Sequence, residues 1–545
     1  NIPFVSDKLD LRIAGEWTKR DGYTFNETTG EPTDGRDLWS TRVTLGWKPV
    51  STVQTYLVWE HFSENDDRIR SSKQLCKTDP GISEFSTPNG VVHVSDPHES
   101  VFNITSATFS QGCLPSSLYA DESFSVPNGF SLPFVSGAAF ENLIDSEKDP
   151  YTDTKQSTNL RNIQTAIQPK YLAKNDTIEF NAIWNVTPSL TLYSDTGYNN
   201  DFLWSTEDYN RFNTTPGIFI GGSSSNPFVD ENGVFCDHQL GCSDRLVVQD
   251  LSTERAWQFS QEFRLASSFT GPLNFSVGGN YMHYETEENY YVFSNTFTMI
   301  SMNEVFCSKD YVQNVTNHLY CLPNGKGYSP PQQGGGVPTE SPQYLDPNPI
   351  DSLDNAGHNY FLSQNPYVLD SYAVFGEAYY NITPDLKLTG GLRWTDDQKH
   401  FMEIPSQLLT KGYGYPTTGA VDQSWQKFTG RAVANWTPKL SFTDQTLVYA
   451  SFAHGYKAGG ANPPGPVLLQ YTDTITFPVH PLTFKPEYVN AYELGTKNTL
   501  LDGALTLNGD VFFYDYKGYQ ISQIVDRSAI NLNFDATVKG AELEA

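Results

Sequence analysis

From Leu9 the chain alternates: Leu9, Leu11, Ile13, Gly15 and Trp17 fall on one side, and Asp10, Arg12, Ala14 and Glu16 on the other. A repeat of two is the period of a β-strand, whose side chains leave alternate faces. The same repeat sets Ile178, Phe180, Ala182 and Trp184 against Glu179 and Asn181. It sets Leu386, Leu388, Gly390, Leu392 and Trp394 against Lys387, Thr389, Gly391 and Arg393, and Leu505, Leu507, Val511 and Phe513 against Thr506, Asn508, Asp510 and Tyr514. Strands of a soluble sandwich also alternate but average about five or six residues. These run to about ten or more, the length a tilted strand needs to cross a bilayer.

The pattern predicts fourteen strands, at 8–17, 38–48, 52–63, 176–186, 189–199, 256–269, 273–285, 369–382, 386–404, 425–437, 446–458, 487–500, 504–523 and 533–545. The joins between them alternate. Those at Pro49, Pro188, Gly271, Pro384, Pro438 and Gly503 are short; the others are long, and 64–175, 200–255 and 286–368 are long enough to be small structures themselves. Short turns at one end and long loops at the other are the asymmetry of an outer-membrane barrel, and a sandwich has no reason to keep it. The expected fold is therefore all-β, a transmembrane antiparallel barrel.

Three short joins share a phrase, NVTPSL at Asn185, NITPDL at Asn381 and NWTPKL at Asn435. Asn-x-Thr is the N-glycosylation pattern, but a strand must reverse here within a few residues. Asn and Asp accept turn geometry and bond their own backbone, and Pro presets φ. The phrase reads as hairpin punctuation. Trp184, Tyr380 and Trp436 just before each turn suit the aromatic girdle of a membrane interface.

Composition narrows the functional classes. The 545 residues carry 63 Asp and Glu against 35 Lys and Arg, a formal charge of -28. Nucleic acid needs a basic surface to displace counterions, so it is not an expected partner. Aromatic residues reach 14%, mean hydropathy is -0.45, and no run approaches the length of an apolar membrane helix. The opening NIPFVSDKLDLR is patterned like folded interior rather than a signal peptide. No GxSxG, HExxH or CxxC motif occurs, and carboxylates along alternating strands suit a lumen lining better than a glycosidase pair. Neither catalysis nor a cofactor is expected. His283, His358 and His454 have no metal-site spacing.

Four stretches carry a family resemblance: NIPFVSDKLDLRIAGEWTKRDGY at the start, SQEFRLAS (Ser260 to Ser267), VYASFAHGYKAGG (Val448 to Gly460) and FKPEYVNAYELGTKNTLLDGALTLNGDVFFYDYKGYQ (Phe484 to Gln520). They resemble TonB-dependent receptors of proteobacterial outer membranes. The Glu-Leu-Gly-x-Lys core at Glu493 to Lys497 is the most specific part; His454 stands where the family phrase more often has Arg. The resemblance implies a Gram-negative outer-membrane location, in contact with lipid and lipopolysaccharide. It also implies active uptake of a scarce nutrient (siderophore, cobalamin, carbohydrate or similar), with a plug domain remodelled by TonB. Nothing in 1–545 resembles the plug or a TonB box, and GAELEA reads as mid-barrel. With fourteen strands against about 22 in outer-membrane transporters, the chain is expected to be an incomplete barrel domain. A passive porin and a loop-decorated surface protein stay open as rivals, which an N-terminal plug would discriminate.

Further expectations follow. Leu9, Leu11, Ile13, Leu388, Leu392, Val511 and Phe513 should face lipid, and Arg12, Glu16, Glu179, Arg264, Arg393 and Asp510 the lumen. Arg12, Arg264 and Arg393 should pair with carboxylates of lumen or plug, Glu262 serving Arg264. The aromatic and amide runs ENYYVFSNTF (Glu288 to Phe297) and GHNYFLSQNPY (Gly357 to Tyr367) suit either stacking on a ligand or packing on one another. Cys76 and Cys113 lie in the first long loop, Cys236 and Cys242 in the second, and Cys307 and Cys321 in the third. Six cysteines allow fifteen pairings; one pair per loop favours 76–113, 236–242 and 307–321, in an oxidising setting at the cell surface.

Overall fold

The computed structural model describes residues 1–87, 90–93, 106–132, 144, 148–208, 210–221, 228–304, 348–353, 361–404, 407–408, 419–463, 481–525 and 528–545. Fourteen long strands form one antiparallel sheet in strict chain order. They are β1 (Leu9–Arg20), β2 (Arg36–Val50), β3 (Val53–Asp66), β4 (Lys170–Thr187), β5 (Leu190–Asp208), β6 (Val248–Ser267) and β7 (Leu273–Ser294). The rest are β8 (Phe361–Thr383), β9 (Leu386–Glu403), β10 (Gly419–Trp436), β11 (Gln445–Lys457), β12 (Glu487–Leu500), β13 (Leu505–Val525) and β14 (Ser528–Glu544). Two short pieces join them, Ile2–Val5 against β1 and Gln407–Leu408 against β8. Among the described residues, Ile2–Val5 and β14 are the sheet's two edges.

Cross-strand pairs share a face, so register carries the apolar side around the wall. Ile13 opposes Val43, Val43 opposes Trp59, Trp59 opposes Ile178, and Ile178 opposes Tyr198. On the far side Val374 opposes Trp394, Trp394 opposes Phe428, and Leu494 opposes Val511. Ile13, Trp59, Ile178, Phe263, Val374, Leu392, Phe428, Leu494 and Val511 are all exposed on this outer face. In a bilayer those positions meet acyl chains. Trp47, Trp184, Tyr380 and Trp436 form the girdle at the short-turn end of the same face. Arg12, Glu16, Glu179, Arg264, Arg393 and Asp510 have the opposite parity and line the inner face, as the alternation predicts.

The Asn-x-Thr phrases do sit at turns. The Thr187 and Thr383 hydroxyls accept from the backbone N–H of Ser189 and Asp385, both at 3.3 Å. The same turns are laced to their neighbours: Asn185 N–H donates to Thr52 O, Asn381 N–H to Pro272 O, and Thr437 N–H to Asp385 O. The Glu493 to Lys497 phrase has its own reason. The Tyr449 ring lies across Gly495, where an added Cβ would stand 2.6 Å from Cζ, and the Tyr449 hydroxyl donates to Glu493.

Three expectations change. Several strands run further toward the long-loop end than the alternation shows; β4 starts at Lys170, β6 at Val248, β8 at Phe361, and β5 and β7 continue to Asp208 and Ser294. Above the lipid the ladder needs no apolar stripe, so hydrophobic periodicity stops before the hydrogen bonds do. The join from β13 to β14 is tight rather than long, because the ladder persists to the Val525–Ser528 pair. Among the described residues the Arg393 guanidinium has no carboxylate partner: it donates to Asn280 Oδ1 at 3.0 Å and Thr395 Oγ1 at 3.1 Å, and its centre is 5.6 Å from the Phe375 ring. Arg264 does meet Glu262, at 3.6 Å, and also covers Tyr193. The bidentate lumen pair is one the sequence did not announce, Arg431 with Glu377 at 2.8 and 2.9 Å. Arg12 is exposed on the inner face and makes no ion pair among the described residues.

Leu392, midway along the outer face of β9, tests the face assignment. In urea titrations of the full-length protein in phospholipid vesicles, Leu392→Arg should lower stability by about 2–4 kcal/mol, the cost of Arg at a bilayer midplane. Asn181→Arg, on the inner face beside Asp195, should cost far less. The reverse order would sink the register.

Candidate ligand-binding site at the mouth of the barrel

At the long-loop end the inner faces of β7, β8 and β9 continue their alternation above the membrane and present Glu288, Tyr290, Asn365, Tyr367, Phe401 and Glu403. These side chains form one wall of a cavity of about 490 Å³. The opposite wall is Ala461, Asn462 and Pro463 with Ile524, Ala529 and Asn531 from the tips of β13 and β14. Strands five places apart in the sheet thus share one cavity, which places it inside the curl of the wall.

The wall is held by its own chemistry. Tyr284, Tyr367 and Phe401 meet as tilted rings across three strands, with centroids 6.0 and 4.8 Å apart, and Tyr290 meets Phe361 edge-on at 6.1 Å. Such pairs add roughly 0.5–1.5 kcal/mol beyond their burial. Asn462 and Asn531 clasp each other: the Asn462 amide donates to Asn531 O at 3.1 Å, and Asn531 N–H donates to Asn462 Oδ1 at 2.7 Å. Lys399 stands behind Tyr367 and gives its ammonium to Gly459 O at 2.8 Å. The packing reading of the aromatic and amide runs is met. The rings pack on one another, and Glu288, Tyr290, Phe361 and 363–367 also line the cavity, while Leu362 is buried. Residues 357–360 lie outside the described set.

Among the lining residues two are carboxylates, Glu288 and Glu403, and none is Lys or Arg. The cavity offers ring faces, amide and hydroxyl groups, and negative charge. Rings of this kind bind apolar sugar faces or cations. Among the described residues no group of His, Cys, Asp and Glu could hold a metal ion. His283 instead bonds Asp370 at 2.9 Å and His454 bonds Asn490 at 2.8 Å; His358 is outside the described residues.

Beside the cavity, the first two long loops and the tips of β5, β6 and β7 build a cap with its own core. Ile144, Ile218, Phe219, Val229, Phe235, Leu246 and Met299 are buried together, Met299 coming from the helix α1 (Asn295–Glu304). A disulfide joins Cys76 to Cys113 within a second cluster containing Tyr151 and Phe212, and another joins Cys236 to Cys242 across a small hairpin. Cys307 and Cys321 lie outside the described residues. Buried charges pin the first loop to the strands. Arg70 pairs with Asp250, while Glu207 accepts from Arg70 N–H at 2.9 Å, Ser71 Oγ at 3.0 Å and the Arg211 guanidinium at 2.8 Å. The sequence marked the cysteines but not this network, whose links from the first loop to the strands cross 136 to 180 positions.

The family model for TonB dependent receptor-like beta-barrels matches residues 148–545. Among solved structures, the chain is similar to the ferric yersiniabactin uptake receptor FyuA from Yersinia pestis, at 12% identity and a TM-score of 0.52, over 99% of this chain and 54% of that one. It is also similar to the ferric-catecholate import receptor Fiu from E. coli K12 in its closed form, at 13% identity and a TM-score of 0.50, over 100% and 58%. The chain spans little more than half the length of these structures, and at such identity the likeness is one of fold. No curated protein matches the sequence.

The cap carries a pH dependence. Asp208, above the membrane at the tip of β5, is pushed up to about 7 by burial, although the backbone N–H groups of Ala166 and Asn210 favour its charged form. A carboxyl raised on folding contributes stability below its unfolded value near 3.8 and loses it as pH climbs through about 7. Hydrogen exchange at Ala166 and Asn210, corrected for intrinsic rate, should show stronger protection at about pH 5 than at about pH 8. Asp208→Asn should flatten that slope, and an unchanged slope would remove Asp208 as its source.

Proposed function

The chain belongs to the TonB dependent receptor-like β-barrel family, and on that premise we propose that it is the barrel portion of a nutrient-uptake receptor in a Gram-negative outer membrane. The ligand is a scarce small molecule taken at the mouth, and TonB supplies the energy for its import. The family is one of outer-membrane receptors and not of enzymes. The observation that carries the reading is the mouth cavity, set on rigid strand ends and lined by aromatic and amide side chains. Its two carboxylates and lack of basic lining favour a neutral or cationic ligand, such as a sugar or an uncharged or positively charged chelate, over an anionic one.

The two sheet edges support the rest of the proposal. Unpaired backbone cannot face hydrocarbon, so further strands of the whole protein close the barrel between Ile2–Val5 and β14. A barrel this wide leaks unless filled, so a plug occupies it and presents the TonB contact. The short turns then face the periplasm, and the disulfide-stapled loops face the medium.

Uptake assays on candidate nutrients test this. Tyr367→Ala with Phe361→Ala should lower uptake by about ten-fold or more, since stacking contacts of this type carry about 1–3 kcal/mol each, with receptor abundance in the membrane unchanged. Uptake should stop when TonB is deleted or the proton gradient is dissipated. Uptake that continues without TonB would mark a passive porin instead.

A further inference from the structure

The two walls of the mouth cavity are held in different ways. The side chains of β7, β8 and β9 stand on strands locked into the ladder. Across from them, Ala461, Asn462 and Pro463 belong to chain that has left the sheet. There Gly460–Ala461 pairs with Thr483–Phe484 in a two-residue ladder of its own. Side chains of the barrel fasten this strap at its base. Lys399 donates to Gly459 O at 2.8 Å, Gln520 to Ala458 O at 2.9 Å and Lys485 O at 3.1 Å, and Asn533 to Lys485 O at 2.9 Å. Among the described residues, the fastening at the level of the cavity is Asn462.

Asn462 is 2% exposed, and its amide is fully engaged. Both N–H donors of an asparagine side chain and its carbonyl can bond. Here Nδ2 donates to Pro481 O at 2.8 Å and Asn531 O at 3.1 Å, while Oδ1 accepts from Asn531 N–H at 2.7 Å. Its backbone N–H goes to Leu482 O at 2.7 Å. Asn462 thus ties both limbs of the strap to the backbone of β14 and has no donor left for the cavity. Asn531 is its complement. Its backbone is held by the clasp and by the β13 ladder, but its side-chain amide bonds nothing among the described residues and lines the cavity. By contrast, the Asn365 amide on the facing wall is turned to Ser363 Oγ, at 3.3 Å. A few fixed polar groups orient a ligand in a mostly apolar site. We propose that Asn531 is a ligand-contacting residue of the mouth and that Asn462 is the positioning residue that fixes it there. The pair selects a ligand with a flat or apolar face for the rings of Phe361 and Tyr367, and a hydroxyl-like or amide-like group for Asn531. The inference rests on the mouth cavity being the uptake site.

Thiol labelling of the full-length receptor in its membrane tests the pair without a nutrient. The Asn531→Cys variant should react about ten-fold faster with the cationic reagent MTSET than with the anionic reagent MTSES, each rate taken relative to free mercaptoethanol, because Glu288 and Glu403 line the same cavity. Glu288→Gln with Glu403→Gln in that background should remove the preference. Adding Asn462→Ala instead should also remove it, with the gel mobility of the folded barrel unchanged. Asn533→Ala, which loosens only the base of the strap, should leave the preference in place; a general loosening would affect both variants alike. MTSET labelling of Asn531→Cys should then lower TonB-dependent uptake by about ten-fold, the order of one lost contact of this kind, and the same treatment of the unsubstituted receptor should not. No charge preference in Asn531→Cys, a preference that survives Asn462→Ala, an equal loss in Asn533→Ala, or uptake that is unaffected by the label would each overturn the proposal. Labelling as expected in a receptor whose uptake needs no TonB would overturn the receptor reading instead.

Discussion

A strand in hydrocarbon has no water for its amides, so its hydrogen bonds must all go to neighbouring strands. The rest of the structure depends on that constraint. It forces each long strand of this chain to pair with the next, and the pairing fixes register. Register then fixes which side chains look outward. Once Ile13 opposes Val43 and Val43 opposes Trp59, the face of every later strand is set, because a slip of one residue would turn a whole apolar stripe inward. The ladder thus specifies the fold, and side-chain packing within the wall is secondary.

The usual arrangement of core and surface is accordingly inverted. Along the wall the large apolar side chains are the exposed ones, with Phe428 61% and Leu392 59% accessible, while the inner face carries Arg431–Glu377, Arg264–Glu262 and Arg393–Asn280. A water-excluding core appears in the cap, where Phe235, Phe293, Leu251 and Met299 are nearly or fully buried. There the loops face water on the outside and lack the long ladders of the wall. They need burial, disulfides and buried ion pairs, the devices of a small soluble domain.

These two regimes explain what the sequence made legible. The stripe in lipid is selected residue by residue, so Leu386 to Trp394 or Ile178 to Trp184 reads as strand at sight. The same strands above the membrane carry Asp176, Lys174, Arg255 and Asp370 on the outer face, and there the alternation of hydropathy ends though the ladder does not. Asn185 and Asn381 could be recognised as turn residues because turn chemistry is local. The Arg70–Asp250 pair could not, since it joins positions 180 apart and neither residue is unusual in its own neighbourhood. Arg393 is expected to need a carboxylate because a desolvated guanidinium does. In an inner face rich in amides, Asn280 and Thr395 serve instead. The mouth cavity is half visible in the sequence, as two aromatic and amide runs, but only the register of β7 against β8 sets Tyr290 opposite Ser363.

Period two also lets one strand carry two unrelated chemistries. On β9, Leu388, Leu392 and Trp394 answer to lipid, while Arg393 and Phe401 answer to the lumen and the mouth, with no residue serving both. Charge follows the same division. Carboxylates line the mouth cavity at Glu288 and Glu403, while Lys174 and Arg255 stand on the outer face beyond the apolar stripe. A substitution that retunes the ligand side therefore leaves the lipid side untouched, because the two sets alternate along the chain and are separated by the thickness of the wall. The ladder beneath is made of backbone alone and does not register either change. The fold and its outward face can thus stay fixed while the side chains at the mouth vary.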